Sequence, residues 1–330
     1  MKAKKSKFSR RVFVFLFASL VLLPGYQAFA SAADMRVYPP PGQMIYVGGH
    51  HLHLHCMGEG EPVVVMEAGM SGWSADWVLT QPEVAKTTRV CAYDRAGYGW
   101  SEEGPLPRDS RQAAAELHTL LSKAGIEGKV ILVGHSLGGL FAQYFAKTYP
   151  RQVAGIILVD SVHPEQSLRM KEDVRKTYEE NLKSLTLFTS LVAPTGLLRL
   201  ANQPETIIVA KLPDAHRPMA GAMGLQAKAY RALAGEMTSF DESQIQARNA
   251  GPLPAVPMTV LSSAIVRDFP PGFSGEYMKS LWDELQNDLA NQQVDSLHVS
   301  TENSGHYIHL DQPDLVIDAI VVMVEQLRHP

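Results

Sequence analysis

Val130-Ile131-Leu132-Val133-Gly134-His135-Ser136-Leu137-Gly138-Gly139-Leu140 is the stretch whose reading decides the fold. Four apolar residues run straight into Gly-His-Ser-Leu-Gly, and Leu137, Leu140, Phe141, Tyr144 and Phe145 follow at helical spacing. An unbroken apolar run is a strand buried on both faces, and the change of period after it is a helix. Between them lies a tight turn with Ser136 at its apex. The glycines suit that geometry, because a side chain at Gly134 or Gly138 would crowd a serine held in strained backbone. Ser136 then stands at a helix N-terminus, whose N–H groups can meet developing negative charge. This makes Ser136 the candidate nucleophile.

A Gly-x-Ser-x-Gly turn between strand and helix resembles the nucleophile elbow of the α/β-hydrolase family, in its serine, esterase/lipase-like branch. The resemblance implies a mostly parallel central sheet with helices on both faces and a helical cap inserted after the sixth strand. The neighbouring sequence carries the same rhythm. Met44 to Val47 and His51 to Cys56, around Gly48-Gly49, read as a hairpin. Val63 to Met66, Arg89 to Tyr93 and Gly155 to Asp160 read as buried strands, and Ser110 to Ala124 as an amphipathic helix with Leu117, Leu120 and Leu121 on one face. Strand and helix alternate from residue 63 to 160, the pattern of a parallel sheet covered on both sides.

Residues 161–255 break this rhythm. They are helix-rich, and roughly 95 residues greatly exceeds an ordinary crossover. The expected organisation is a core of 31–160 and 256–330 with 161–255 as the cap. Met170, Met219, Met223 and Met237 lie in the cap, where adaptable thioethers on an inner face would suit an apolar substrate. Pro257 to Ser262 returns to strand, Phe273 to Leu289 is helical, Leu297 to Ser300 is a last strand, and Pro313 to Leu327 is a final helix.

The resemblance also assigns chemistry. Gly305-His306 follows the last strand, the family's histidine position, so His306 is the expected general base; His309 is expected to turn toward the start of the helix. The acid is either Asp160, which ends the strand before the cap, or Asp268, beyond the strand at 258–262. Ser262 to Arg267 lacks the usual Gly-x-x-Asp spacing, which favours Asp160. Glu67-Ala68-Gly69 stands where His-Gly is usual, and the expected oxyanion donors are the N–H groups of Met70 and Leu137. Together these imply an ester hydrolase working through an acyl-enzyme. The same set could serve a peptidase, lactonase, thioesterase, perhydrolase or acyltransferase, and a non-catalytic binding protein is the remaining alternative. No metal or organic cofactor is required.

Asp94-Arg95-Ala96-Gly97-Tyr98-Gly99-Trp100-Ser101 resembles the family's Asp-x-x-Gly-x-Gly-x-Ser turn. Asp94 and Arg95 read as a polar turn fixing the loop under the site, with Tyr98 or Trp100 as pocket wall. His51, His53 and His55 alternate and so share a strand face. They read as a solvent-side stripe rather than a metal site, because no carboxylate follows at close spacing to complete one.

The N-terminus has the three parts of a secretory signal: Lys2, Lys4, Lys5, Lys7, Arg10 and Arg11, then apolar Val12 to Leu23, then Ala28-Phe29-Ala30. The apolar part is about half of the ~20 residues a spanning helix needs, although an uncleaved anchor is the alternative. Export to the periplasm or medium with cleavage near Ala30 is the expectation. Removing residues 1–30 leaves 24 Lys and Arg against 34 Asp and Glu, a net of −10. That charge argues against nucleic acid and anionic membranes as partners; the resemblance, with the methionine-bearing cap, implies an apolar small-molecule ester as the expected one. In the resembled fold the strands of Cys56 and Cys91 are neighbours, so a disulfide and two separate buried thiols both remain open.

Overall fold

The computed structural model describes residues 22–201, 207–265, 274–293 and 295–329. Its sheet runs β1 (Gln43–Tyr46), β2 (His51–Met57), β3 (Val63–Glu67), β4 (Val90–Tyr93), β5 (Val130–His135), β6 (Val153–Val159), β7 (Met258–Ser263) and β8 (Leu297–Thr301). The spatial order is β1-β2-β4-β3-β5-β6-β7-β8. The hairpin β1–β2 joins β4 antiparallel, and the pairs from β4 through to β8 are parallel.

Side chains alternate across the strands, and each set meets its own helices. Val63, Val65, Val130, Leu132, Ile156 and Leu158 pack against Leu117, Leu120 and Leu121 of α2 (Ser110–Lys123) and Phe145 of α3 (Leu137–Thr148). Val64, Met66, Ile131, Val133, Ile157 and Val159 pack on the other face against Val316, Ile320 and Val324 of α9 (Pro313–Arg328). Each such buried aliphatic side chain contributes about 1.5–3 kcal/mol, so the central strands form the most strongly held part of the fold.

Between β6 and β7 the chain is helical, with α4 (Glu172–Val192), α5 (Arg217–Gly224), α6 (Ala227–Thr238) and α7 (Phe240–Asn249). α7 packs on α2 and α3, and α4 lies along α6. Val209, Leu212, Met223 and Ala232 of this insert bury Trp73, Tyr98 and Trp100 of the core loops. An earlier helix, α1, covers residues 22–37. Buried Gln27 on it donates to Leu225 O at 2.7 Å, and Asp34 pairs with Arg199 at 2.8 Å. Residues 22–30 of the expected leader are therefore helical and partly seated on the insert, while the rest of it lies outside the described residues. Among the described residues no helix is long and apolar enough to cross a membrane.

Two expectations change here. His53 does not face solvent: it is fully buried, its Nδ1 donating to Asp94 Oδ2 at 2.9 Å and its Nε2 accepting from Gly42 N at 3.1 Å. The carboxylate at the end of β4 supplies the partner that makes an inward imidazole tolerable. Three of the four methionines of the insert do not gather beside Ser136 either. Met170 packs with Met278, Leu281 and Leu285, whereas Met219 and Met223 join the Trp73 and Trp100 cluster. Cys56 and Cys91 are register partners across β2 and β4 and form a disulfide.

Candidate active site

The site is assembled at the carboxyl ends of β3, β5, β6, β7 and β8. Ser136 follows β5 directly, with φ 52° and ψ −121°, a left-handed strained conformation for a non-glycine residue. What holds it there is close packing. A Cβ at Gly138 would lie 2.3 Å from Ala68 O and 2.5 Å from Glu67 O, and one at Gly134 would lie 2.6 Å from Gly139 Cα. Only glycines let α3 approach β3 and β5 so closely. Ser136 N donates to Val159 O at 3.1 Å, and Ser136 O accepts from Val162 N at 2.9 Å, which locks the turn to the end of β6.

His306 lies on the loop after β8. Its Nε2 is 3.0 Å from Ser136 Oγ and its Nδ1 is 2.7 Å from Asp160 Oδ2. Asp160, fully buried at the end of β6 with φ 44°, also accepts at Oδ1 from Trp282 Nε1 at 2.7 Å and from Ser263 N at 3.1 Å. Trp282 belongs to α8 (Gly275–Ala290) and stands edge-on to the His306 ring, 6.1 Å between centroids. His135 Nε2 donates to His306 O at 2.9 Å, tying the histidine loop to the serine's own strand. The structure thus brings Ser136, His306 and Asp160 into one hydrogen-bonded chain. Asp268 lies outside the described residues.

His309 is a different kind of group. It is fully buried in the short helix Ile308–Asp311, with its ring 4.6 Å from Trp77 and 4.5 Å from His135. Burial, with neighbouring His306 adding to it, pushes its imidazole down to about 3. It is a neutral packing group at working pH.

On the other flank, Gly69 and Met70 pass close to the serine: a Cβ at Gly69 would sit 3.2 Å from Ser136 Cβ. Leu137 is the first residue of α3, where N–H groups have no intrahelical acceptor. Around Leu137 gather Met70, Phe141, Val162, Tyr178, Leu182 and Phe240, an apolar wall shared by core and insert.

Behind the Gly69 loop is a buried ionic cluster that joins Arg95 of the turn motif and Glu67 of the β3 end to a third member, Glu236, that carries no motif. Arg95, 2% exposed, binds Glu67 at the end of β3 and Glu236 on α6, both at 2.7 Å. Burial pushes the Glu67 carboxyl up, against the opposing pull of Arg95 and the Tyr93 hydroxyl that bonds it. Asp94 does what the turn motif implies: it accepts from Ser74 N at 2.8 Å and Trp100 N at 2.9 Å and fixes the loop under the site. Burial works to raise its carboxyl, but His53 and the Ser74 N–H outweigh this and hold it below the usual range. Tyr98 and Trp100 are buried, Tyr98 donating to Glu236 at 2.8 Å and Trp100 to Tyr38 O at 2.8 Å.

One group among the described residues has metal-ligand spacing: His163, Glu165 and Asp288. Arg169 donates to both carboxylates, so a cation already occupies the space between them.

Comparison with known proteins agrees with this architecture. A family model described as "Alpha/beta hydrolase family" matches residues 20–319. The chain belongs to the α/β-hydrolase family. It is an enzyme of that class, a hydrolase. It is 26% identical over 302 residues to an AB hydrolase superfamily protein of Gibberella zeae, covering 81% of this chain and 88% of that one. Among solved structures, the enol-lactonase of Burkholderia xenovorans LB400 superposes with TM-score 0.65 at 18% identity, covering 86% of this hydrolase and all (100%) of that chain. A thermophilic esterase from Thermogutta terrifontis gives TM-score 0.62 at 21% identity over 86% and 97% of the two chains. At these identities the likeness is one of fold.

Proposed function

We propose that this hydrolase is an exported serine esterase that cleaves carboxylic esters through an acyl-enzyme on Ser136. The observation that carries the reading is the chain Ser136 Oγ, His306 Nε2, His306 Nδ1, Asp160 Oδ2, with links of 3.0 Å and 2.7 Å. A serine hydroxyl is a poor nucleophile until an imidazole takes its proton, and a buried carboxylate fixes the imidazole's tautomer and stabilises its charge. Ser136 Oγ attacks the ester carbonyl while His306 takes the proton. The N–H groups of Met70 and Leu137 receive the oxyanion, and His306 then returns the proton to the leaving alcohol. Water deacylates Ser136 by the same route.

The apolar wall of Met70, Val162, Tyr178, Leu182 and Phe240 supports an apolar acyl or alcohol group. Export is supported by the basic, apolar and small-residue N-terminus and by the Cys56–Cys91 disulfide, a bond that persists in oxidising compartments. The test is fluorophosphonate labelling with mass-spectrometric mapping, beside p-nitrophenyl esters of increasing chain length. Labelling at Ser136 and higher kcat/KM for medium-chain than acetyl esters are expected. An unlabelled Ser136 with no ester turnover would sink the mechanism. N-terminal sequencing of the exported protein tests cleavage near Ala30.

A further inference from the structure

Four hydrogen bonds radiate from the Arg95 guanidinium. Nη1 donates to Glu67 Oε1 at 2.7 Å and to Ala68 O at 2.6 Å, Nη2 to Gly69 O at 2.7 Å, and Nε to Glu236 Oε1 at 2.7 Å. Three of these fix the end of β3 and the loop that follows it. The bond to Gly69 O has a specific consequence. A trans peptide is planar, and its C=O and N–H point to opposite sides. The plane that carries Gly69 O also carries Met70 N–H, so gripping the carbonyl from behind turns the N–H away from the guanidinium. Ser136 stands beside that loop, close enough that a Cβ on Gly69 would come within 3.2 Å of its Cβ.

The fourth bond leaves the core. Glu236 is on α6 of the insert, 141 residues along the chain from Arg95 and buried with it. Tyr98 Oη donates to the second carboxylate oxygen at 2.8 Å, so Glu236 is held from two sides. Removing the carboxylate frees one edge of the guanidinium and leaves a buried donor unmatched. Arg suits this role and Lys does not, since only the planar fork can serve two carbonyls and two carboxylates at once.

We propose that Arg95 is the positioning residue of the oxyanion hole, aiming Met70 N–H at the reacting carbonyl, and that Glu236 makes this aim depend on the seating of the cap. Arg95 does not touch substrate; it acts through the Gly69–Met70 peptide. The inference rests on the reading of Ser136 as the acylated nucleophile.

The test compares an oxygen ester with its thiono analogue, in which sulfur replaces the carbonyl oxygen and accepts hydrogen bonds poorly. The variants are Arg95→Lys, Glu236→Ala and Glu236→Gln. Losing an aimed oxyanion donor costs about 10²–10³ in kcat. Arg95→Lys is therefore expected to lose about 100-fold in kcat on the oxygen ester at little-changed KM, and much less on the thiono ester. The oxygen-to-sulfur rate ratio should fall at least about tenfold. Glu236→Ala should move the ratio in the same direction by less, and Glu236→Gln, which keeps an acceptor for Nε, should restore it to within about threefold of wild type. A merely structural role lowers both substrates together, so an unchanged ratio in Arg95→Lys and Glu236→Ala overturns the proposal. If Arg95→Lys does not fold, the Glu236 pair decides it: a ratio unmoved by Glu236→Ala overturns it and one rescued by Gln supports it. Wild-type protein that neither labels at Ser136 nor turns over the oxygen ester refutes the esterase reading itself, a result distinct from active enzyme with an unmoved ratio.

Discussion

The two flanks of Ser136 are built differently. On the acid–base flank, His306, Asp160, Trp282 and Ser263 all come from the core: the end of β6, the end of β7, α8 and the loop after β8. On the flank proposed to receive the oxyanion, the Gly69–Met70 loop is held by Arg95, and Arg95 is held in turn by Glu236 of the insert. On the proposed reading, proton transfer is prepared by elements that pack on the sheet, whereas the loop assigned to charge stabilisation is tied through Arg95 to a helix of the insert. The proposal therefore predicts that the two flanks respond separately to substitution.

The comparison can be broken first at its strongest point. Ser136→Ala or His306→Ala should cut kcat/KM by about 10⁴-fold or more in the p-nitrophenyl ester assay, with folding unchanged by circular dichroism. Asp160→Asn keeps the shape but cannot hold the productive tautomer, so a loss of about 10³–10⁴ in kcat is expected. A loss under tenfold would remove Asp160 from the proposed mechanism. Trp282→Phe deletes one donor to Asp160 Oδ1 while keeping the ring. Losing such a bond to a charged group is worth about 1.5–3 kcal/mol at most, so a drop of about tenfold in kcat at constant KM is expected, insensitive to any Glu236 change.

Stability should separate from activity. Cys56 and Cys91 are 35 residues apart in sequence, and closing a loop of that size stabilises by roughly 3–4 kcal/mol. Cys56→Ala/Cys91→Ala should lower Tm clearly while leaving the oxygen-to-sulfur ratio alone, because the pair lies on β2 and β4, away from Ser136. The smallest effect is a pH slope. Burial, with Arg169 adding to it, pushes His163 down to about 4. Unfolded chain takes this proton below about 6.5 and folded protein only below about 4, so its contribution is complete above pH 6.5 and is lost as pH falls between those values. At most about 3 kcal/mol is involved. Asp76, raised by burial to about 7, has the opposite sign, favouring the fold at low pH and losing that advantage as pH climbs from 3.8 to 7. The measurement is therefore a difference: urea midpoints of His163→Gln minus wild type, which should grow as pH drops from 6.5 to 4.

Much of this molecule is legible in its sequence for a simple reason. Central parallel strands are buried on both faces, so Val130 to Val133 and Ile156 to Val159 read as unbroken apolar runs. Ser136 carries a local motif, His306 stands in a Gly-His pair on the loop after β8, and Asp160 ends β6, although the sequence left Asp268 open as the alternative acid. The Arg95–Glu236 pair carries no such mark, because nothing in a helix such as α6 distinguishes an inward glutamate from a solvated one until the partner is seen. The burial of His53 escapes the sequence pattern for the same reason. Alternation locates a face but not its surroundings, and Asp94 was the missing surrounding. Between β6 and β7 the composition points to helices, and the segment is helical. Composition could not say that Phe240, Tyr178 and Leu182, rather than the methionines, stand beside Leu137.

Ser136 and Asp160 share one more property, a positive φ on a non-glycine residue, 52° and 44°. A positive φ is uncommon outside glycine, and bulky or β-branched residues adopt it least readily. The neighbourhood this site can explore by single substitutions is correspondingly narrow. Asn at Asp160 keeps the size and suits a positive φ, so that exchange is expected to silence the proposed chemistry while the fold survives, whereas Gly would remove the acceptor of Trp282 Nε1 and Ser263 N. Lineages that lose the reaction here should therefore keep the scaffold, and inactive descendants of this enzyme should be recognised by a quiet Asp-to-Asn exchange rather than by a broken sheet.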